Sequence, residues 1–382
     1  MNIPKLRFKD NNGNDYPQWE KKKLGDLVSI KTGISPTNIL DEYGSIPYFK
    51  VEQLNNSNKY QINTPYKTKN NQKLIPPKSI IFPKRGISIL SNKIRILSQY
   101  SLIDTNIMAL IVKNNSTSNE FLYYFLLNED LSKIADTTSI PQINNKHIEP
   151  YNIYLPLLDE QEKIANFLTT VDKKIENLAN TITCLENQKK GLLQQIFSQK
   201  LRFKDKNGNN YPNWEKKKIG LICSISTGKS NTQDKIDNGK YPFYVRSATI
   251  ERSSKYLYDE EATLTVGDGV GTGKVFHYVN GKYDLHQRCY RMFNFKNTHA
   301  KYFYYFFSSH FYNRVKRMSA KNSVDSVRMN MISDMIIDLP CLEEQTKIAD
   351  FLSAFDRKLD NQKAQLEHWQ QIKKGLLQQM FV

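Results

Sequence analysis

Cysteine is scarce: four residues in 382, with no CxxC pair among them. Cys184, Cys223, Cys289 and Cys341 are scattered, which fits a reducing compartment better than a disulfide framework or a zinc site. No apolar run approaches the ~18 residues of a membrane span. The opening MNIPKLRFKD also lacks the apolar core of a signal peptide. The cytoplasm is therefore the expected location, with no membrane partner. Acidic residues are short as well: 38 Asp and Glu stand against 55 Lys and Arg, a net charge of +17. Such an excess points to an anionic partner, nucleic acid first.

Catalytic signatures are missing. GDGVGTGK (267–274) has Asp268 where a phosphate loop needs glycine and Val275 where it needs Ser or Thr. Its flanks are β-rich, so it reads as a glycine-rich hairpin, with FPKRG (82–86) as its counterpart. Asp15, Glu20 and Lys22 imitate a nuclease spacing, but Asn210 replaces the first acid in the copy described below. No Asn/Asp-Pro-Pro-aromatic string occurs, so an adenine methyltransferase site is absent. His286 and Cys289 are isolated, and no metal or nucleophile constellation can be argued from spacing.

What the chain does contain is a duplication. KLRFKDNNGNDYPQWEKKKLGDLVSIKTG (5–33) recurs at 200–228 with 21 of 29 positions identical. The segment 153–198 recurs at 337–382 with 22 of 46 identical. Between these matched ends the two interiors diverge. Only faint echoes remain: IPYFKV (46–51) beside YPFYVR (241–246), LYYFLL (122–127) beside FYYFFS (303–308), and 139–148 beside 323–332. One scaffold carrying two different interiors fits two sites that read different ligands. The charge follows the same division. Residues 1–155 hold 20 basic against 13 acidic side chains and residues 201–340 hold 23 against 13, while 156–200 and 341–382 each hold 6 against 6. The repeat is also circular, since joining the end (GLLQQMFV) to the start would recreate the central junction. The two ends are therefore expected to meet about a pseudo-two-fold axis.

The spacing of apolar residues gives the fold class: α+β, with two mixed α/β domains joined by two long helices forming an antiparallel coiled coil. The boundaries are 1–155, 156–199, 200–339 and 340–382. A heptad seam runs through Leu168, Val171, Ile175, Leu178, Ile182 and Leu185, broken by polar Lys189. Its copy holds Leu352, Phe355, Leu359, Leu366 and Trp369, with polar Gln362 and Lys373. Asp159 and Glu162 form a candidate capping pair. Each helix is expected to span ~39 residues, about 58 Å at ~1.5 Å per residue. SIIF (79–82), IMALIV (107–112), ATLTV (262–266) and KVFHYV (274–279) read as strands. The aromatic stripes EFLYYFLL (120–127) and AKYFYYFFS (300–308) read as core helices rather than base-stacking platforms.

The strings YPQWEKKKLGDL, YPNWEKKKIGLI, LPLLDEQEKIANFL, LPCLEEQTKIADFL, KKGLLQQIF and KKGLLQQMF cover both domain starts and both helices. On them the chain resembles the specificity subunit of type I restriction–modification systems, over essentially its whole length. The resemblance implies two target-recognition domains, each reading one part of a split, asymmetric site in double-stranded DNA. It implies helices that set the distance between the parts. It also implies two methyltransferase subunits and two restriction/translocase subunits as partners. S-adenosylmethionine, ATP and Mg would be used by those partners; this chain would bind no cofactor and carry no catalytic residue. Lys and Arg would neutralise phosphates, while a few loop side chains read base edges. The candidates are Lys84, Arg85, Gln142 and Asn144 in the first domain, and Arg246, Lys274, Ser326 and Arg328 in the second. Two other readings stay open: a self-sufficient DNA-modifying enzyme, and a scaffold that binds only proteins.

Overall fold

The computed structural model describes residues 4–136, 140–269, 271–318 and 326–381. Ser139 and residues 323–325 of the third echo, and Val270 of the glycine-rich string, lie outside the described residues. The chain divides into two compact units, Met1–Ala179 with Ala364–Val382, and Asn180–Lys363. This division differs from the four sequence segments because neither long helix stands apart. Each unit contains the opening half of one helix and the closing half of the other.

The first unit opens with β1 (Glu20–Lys23), α1 (Leu24–Leu27) and β2 (Val28–Thr32). There follow β3 (Ile46–Phe49), β4 (Tyr60–Gln61), β5 (Lys67–Thr68), β6 (Ile80–Pro83), β7 (Arg95–Leu97), β8 (Leu102–Ile103) and β9 (Ile107–Val112). Helices α2 (Asn119–Glu129) and α3 (Asn145–Ile148) and strand β10 (Asn152–Leu155) lead into the long α4 (Leu158–Phe197). The sheet order is β2-β9-β6-β7-β4, with β5-β3-β8 as a separate sheet and β1 paired to β10. Side chains of β6 and β9 alternate between two cores, as a period of two requires. Ile80, Phe82, Met108 and Leu110 face α2, and Ile81, Ile107 and Ala109 pack with Phe49 and Ile103. Residues Phe121–Leu126 of α2 are all buried, so the aromatic stripe is core.

The second unit repeats the plan with one larger sheet. Its elements are β11 (Glu215–Lys218), α5 (Ile219–Ile222), β12 (Ser224–Thr227), β13 (Tyr241–Tyr244), β14 (Ile250–Ser253), β15 (Tyr258–Val266), β16 (Phe276–Leu285) and β17 (Cys289–Phe293). Then come α6 (Ala300–Met318), α7 (Met329–Ser333), β18 (Ile336–Leu339) and the long α8 (Leu342–Met380). The order is β12-β17-β15-β16-β13-β14, and β11 pairs with β18 as β1 does with β10. Gly33 and Gly228, which close the 29-residue repeat, sit at a close approach: an added Cβ would lie 1.9 Å from Ile103 O and 2.2 Å from Leu285 O. No helix among the described residues is long and apolar enough to cross a membrane.

The identical strings of the repeat meet in space. Glu160, on the first turn of α4, has no exposed side-chain surface. Arg7 grips it through Nε at 3.0 Å and Nη2 at 2.7 Å, and Trp19 Nε1 donates at 3.1 Å. Glu344 is held in the same way by Arg202, at 3.0 and 2.8 Å, and by Trp214 at 2.9 Å. The hydrogen bonds that Arg7 and Arg202 donate to Glu160 and Glu344 hold both arginines above their ordinary pKa. The next residue is a buried glutamine. Gln161 donates to Pro156 O and Ser116 O and accepts from Ser118 N, while Gln345 donates to Pro340 O and Asn297 O and accepts from His299 N. Asp159 accepts the Tyr16 hydroxyl and lies 3.6 Å from Lys163, so it ties the domain to the helix instead of forming the expected pair with Glu162.

The two lysine breaks in the seams are cross-helix ion pairs. Lys373 of α8 lies 2.6 Å from Asp172 of α4 in the first unit, and Lys189 of α4 meets Asp356 of α8 in the second. Each aspartate also accepts a tyrosine hydroxyl from the domain helix, Tyr124 at 2.7 Å and Tyr305 at 2.5 Å. Lys363 and Glu186, 2.8 Å apart, continue the antiparallel order in the second unit. Val171, Leu178, Ile182, Leu185 and Leu359 are buried; Ile175, Phe355, Gln362, Leu366 and Trp369 are half-buried. Leu168 and Leu352 sit in the two domain cores. The opening and closing segments meet in the first unit, where Leu6 N donates to Gln379 O at 3.0 Å. The matching bond across the continuous central junction is Leu201 N to Gln195 O at 3.1 Å.

Glu160→Ala leaves a guanidinium and an indole N–H without their acceptor. Losing one partner of a buried pair costs about 3 kcal/mol, a Tm loss of roughly 10 °C. A calorimetric loss under about 2 °C would show that the clamp does not hold the unit together.

Candidate nucleic-acid interface

Four of the expected residues come together in the first unit. Beyond β6 the chain turns outward at Lys84, Arg85 and Gly86. Lys84 N donates to Asn106 O at 2.8 Å, and Lys84 O accepts from Ile143 N at 2.8 Å. Arg85 faces Gln142 across an antiparallel bridge, and Gln142 Nε2 donates to Asn144 Oδ1 at 3.0 Å. Asn144 precedes α3 and is half-buried. Arg85 is exposed and Lys84 half-buried, and neither has a carboxylate partner among the described residues. Burial first, then the neighbouring Arg85 charge, holds the Lys84 ammonium below its ordinary pKa. Two like charges left side by side in this way are placed to receive an anion.

The second unit builds the same platform with different side chains. Gly267 N donates to Arg288 O at 2.8 Å, and Gly267 O accepts from Val327 N at 2.7 Å. Asp268 faces Ser326 across the matching bridge. Gly86 and Gly269 both take the left-handed conformation, φ +80° and +85°, with open space where a Cβ would stand, so backbone conformation is what selects glycine. Gly267 therefore occupies the place of Lys84, and Asp268 that of Arg85. Arg246 Nη1 lies 3.4 Å from Asp268 Oδ1, and Arg288 Nε lies 3.7 Å from Asp268 Oδ2. Arg328 is exposed at the start of α7, two residues beyond Ser326. Lys274 is exposed at the far end of the turn, 5.2 Å over the Tyr312 ring of α6, and no contact joins it to Asp268. Arg288 escapes the sequence reading. Its turn, LHQRC, shares no identical residue with the corresponding IDTNI (103–107), so only the backbone hydrogen bonds reveal the match.

Among the described residues no group of three His, Cys, Asp or Glu side chains is placed to hold a metal ion. Glu20 pairs with Lys22 on the exposed strand β1, and Tyr16 is buried with its hydroxyl on Asp159.

Residues 16–187 and 211–368 match the family model of the type I restriction modification DNA specificity domain. The chain belongs to this family. It is 26% identical over 411 residues to the type I restriction enzyme MjaVIII specificity subunit of Methanocaldococcus jannaschii, covering 97% of this chain and 94% of that protein. Identity to the EcoDI specificity subunit of Escherichia coli is 25% over 165 residues, 43% of this chain and 36% of that one. Among solved structures, the type I restriction–modification S subunit from M. genitalium superposes with a TM-score of 0.68 at 17% identity, covering 99% of both chains. That likeness concerns the fold. As a type I specificity protein the chain recognises DNA.

Lys84→Ala should weaken DNA binding to a similar degree on all sequences. It should also flatten the slope of log K against log[salt] by about 0.9, one released counterion. An unchanged slope in a salt titration would place Lys84 away from the phosphates.

Proposed function

We propose that each domain reads one half of a split, asymmetric DNA site, and that the long helices set the gap and dock the partner subunits. One observation carries this reading: Arg85 and Asp268 stand at the same backbone position with opposite charge. A scaffold duplicated to bind one ligand twice has no use for that inversion; two readers of unlike base sequences do. The partners are two methyltransferase subunits, which bring S-adenosylmethionine, and two restriction/translocase subunits, which use ATP and Mg. The chain itself supplies recognition and no catalytic group, and the complex works on DNA in the cytoplasm. Neutral helices with apolar seams support protein docking, while the charge excess in the domains supports DNA contact.

Helix length gives the test. Inserting one heptad into both helices, after Thr181 and after its repeat equivalent Gln365, preserves the seam and both Lys–Asp pairs. The rod gains ~10 Å at ~1.5 Å per residue, and DNA rises ~3.4 Å per base pair. Methylation mapping of the assembled complex should show a gap longer by up to about three base pairs, with the bases of each half unchanged. The original gap at full activity, or altered bases at the original gap, would contradict the reading.

A further inference from the structure

We propose that Arg288 reads a guanine in the half-site of the second domain, and that Asp268 is the positioning residue that aims it. This rests on the two-reader arrangement above and assigns the chemistry of one reader.

An acid on a surface that faces DNA needs a reason, because it repels phosphates and lowers affinity for every sequence. Asp268 sits at the centre of the second platform, with its side chain 25% exposed, between two guanidinium groups. Its nearest approach to Arg288 is an ion pair at Nε, 3.7 Å, and the two terminal nitrogens of that side chain have no hydrogen-bond partner among the described residues, which leaves them as a fork. A guanine edge in the major groove presents two adjacent acceptors, N7 and O6, and Arg meets them with two parallel hydrogen bonds. Arg246 is held through one terminal nitrogen, Nη1, so its end-on pair is already engaged. A phosphate can also take the fork, but it gains nothing from the neighbouring carboxylate, which repels it.

The backbone beneath Arg288 is fixed on both sides. Its amide donates to Nδ1 of the buried His286 at 3.0 Å, and its carbonyl accepts from Gly267 N at 2.8 Å. The accepting Nδ1 requires a neutral ring; burial, then Arg246, holds His286 below its ordinary pKa and keeps it neutral. The side chain nevertheless projects, 65% exposed. A rigid base with a projecting, braced guanidinium is the geometry that base reading demands. In the first domain the same place holds Asn106, whose amide donates to Asp104 Oδ1 at 2.7 Å, and the unpartnered guanidinium is Arg85 on the facing loop. The two domains thus offer a guanidinium from opposite sides of one scaffold.

The test uses the chain assembled with its methyltransferase subunits, methylation sequencing of a randomised target library, and DNA binding against salt. Asp268→Ala should tighten binding to unrelated DNA while preference for one guanine in the second half falls about tenfold or more. Arg288→Lys should lose the same preference with its salt slope unchanged, because the charge remains and the fork is gone. The first half-site should be read as before in both variants. The proposal is overturned if Asp268→Ala tightens binding to all sequences with base preference intact. It also fails if Arg288→Lys keeps the guanine, or if both halves lose preference together. Arg288 is solvent-exposed, so its lysine variant decides the question even if Asp268→Ala fails to assemble.

Discussion

A carboxylate with no exposed surface begins each long helix, and the rest of the architecture is arranged around it. Glu160 and Glu344 would each be costly buried alone. Each is made tolerable by a two-pronged arginine and an indole N–H that come from the opening segment of the same unit. The glutamine beside each one satisfies backbone groups around the strand that enters the helix and the loop before the domain helix. Opening segment, domain and long helix are thereby locked at one point. That is why the most nearly identical strings of the repeat are these and not the sheets.

With the domain anchored at its base, its outer loops are free to vary. The first four strands of each main sheet keep their order and the platform loops keep their backbone hydrogen bonds, yet Lys84-Arg85 becomes Gly267-Asp268. The helices follow the same logic at the other side of the clamp. Each apolar seam is interrupted once by a lysine, and each lysine finds an aspartate on the opposite helix together with a tyrosine from the domain. A half-buried polar pair of this kind fixes register better than it adds stability. It also connects seam and domain, so the orientation of each domain is tied to the pairing of the helices beneath it.

Much of this was legible in the sequence, for physical reasons. The duplication, the heptad seams and the aromatic core helices follow from spacing alone, since burial imposes a period. The charge division located the domains that face an anion. Three things were not legible. Lys189 and Lys373 read as faults in the seams, because a cross-helix partner 167 residues from Lys189 leaves no local mark. Asp159 read as a cap, although the Tyr16 hydroxyl takes it. Arg288 was missed because its loop shares no residue with its counterpart, and a base-reading side chain on a loop looks like any other exposed one. Lys274, a candidate on the strength of its glycine-rich string, stands exposed over the Tyr312 ring.

The central claim is that the chain holds two independent readers on one repeated anchor. The most direct measurement is methylation sequencing of a chimaera in which residues 5–155 also replace 200–339, retaining both helices. The clamp residues Arg7, Tyr16 and Trp19 then substitute for Arg202, Tyr211 and Trp214, so the second anchor is preserved. The account predicts a palindromic target, with the first half-site repeated in inverted orientation. An unchanged asymmetric target would contradict it.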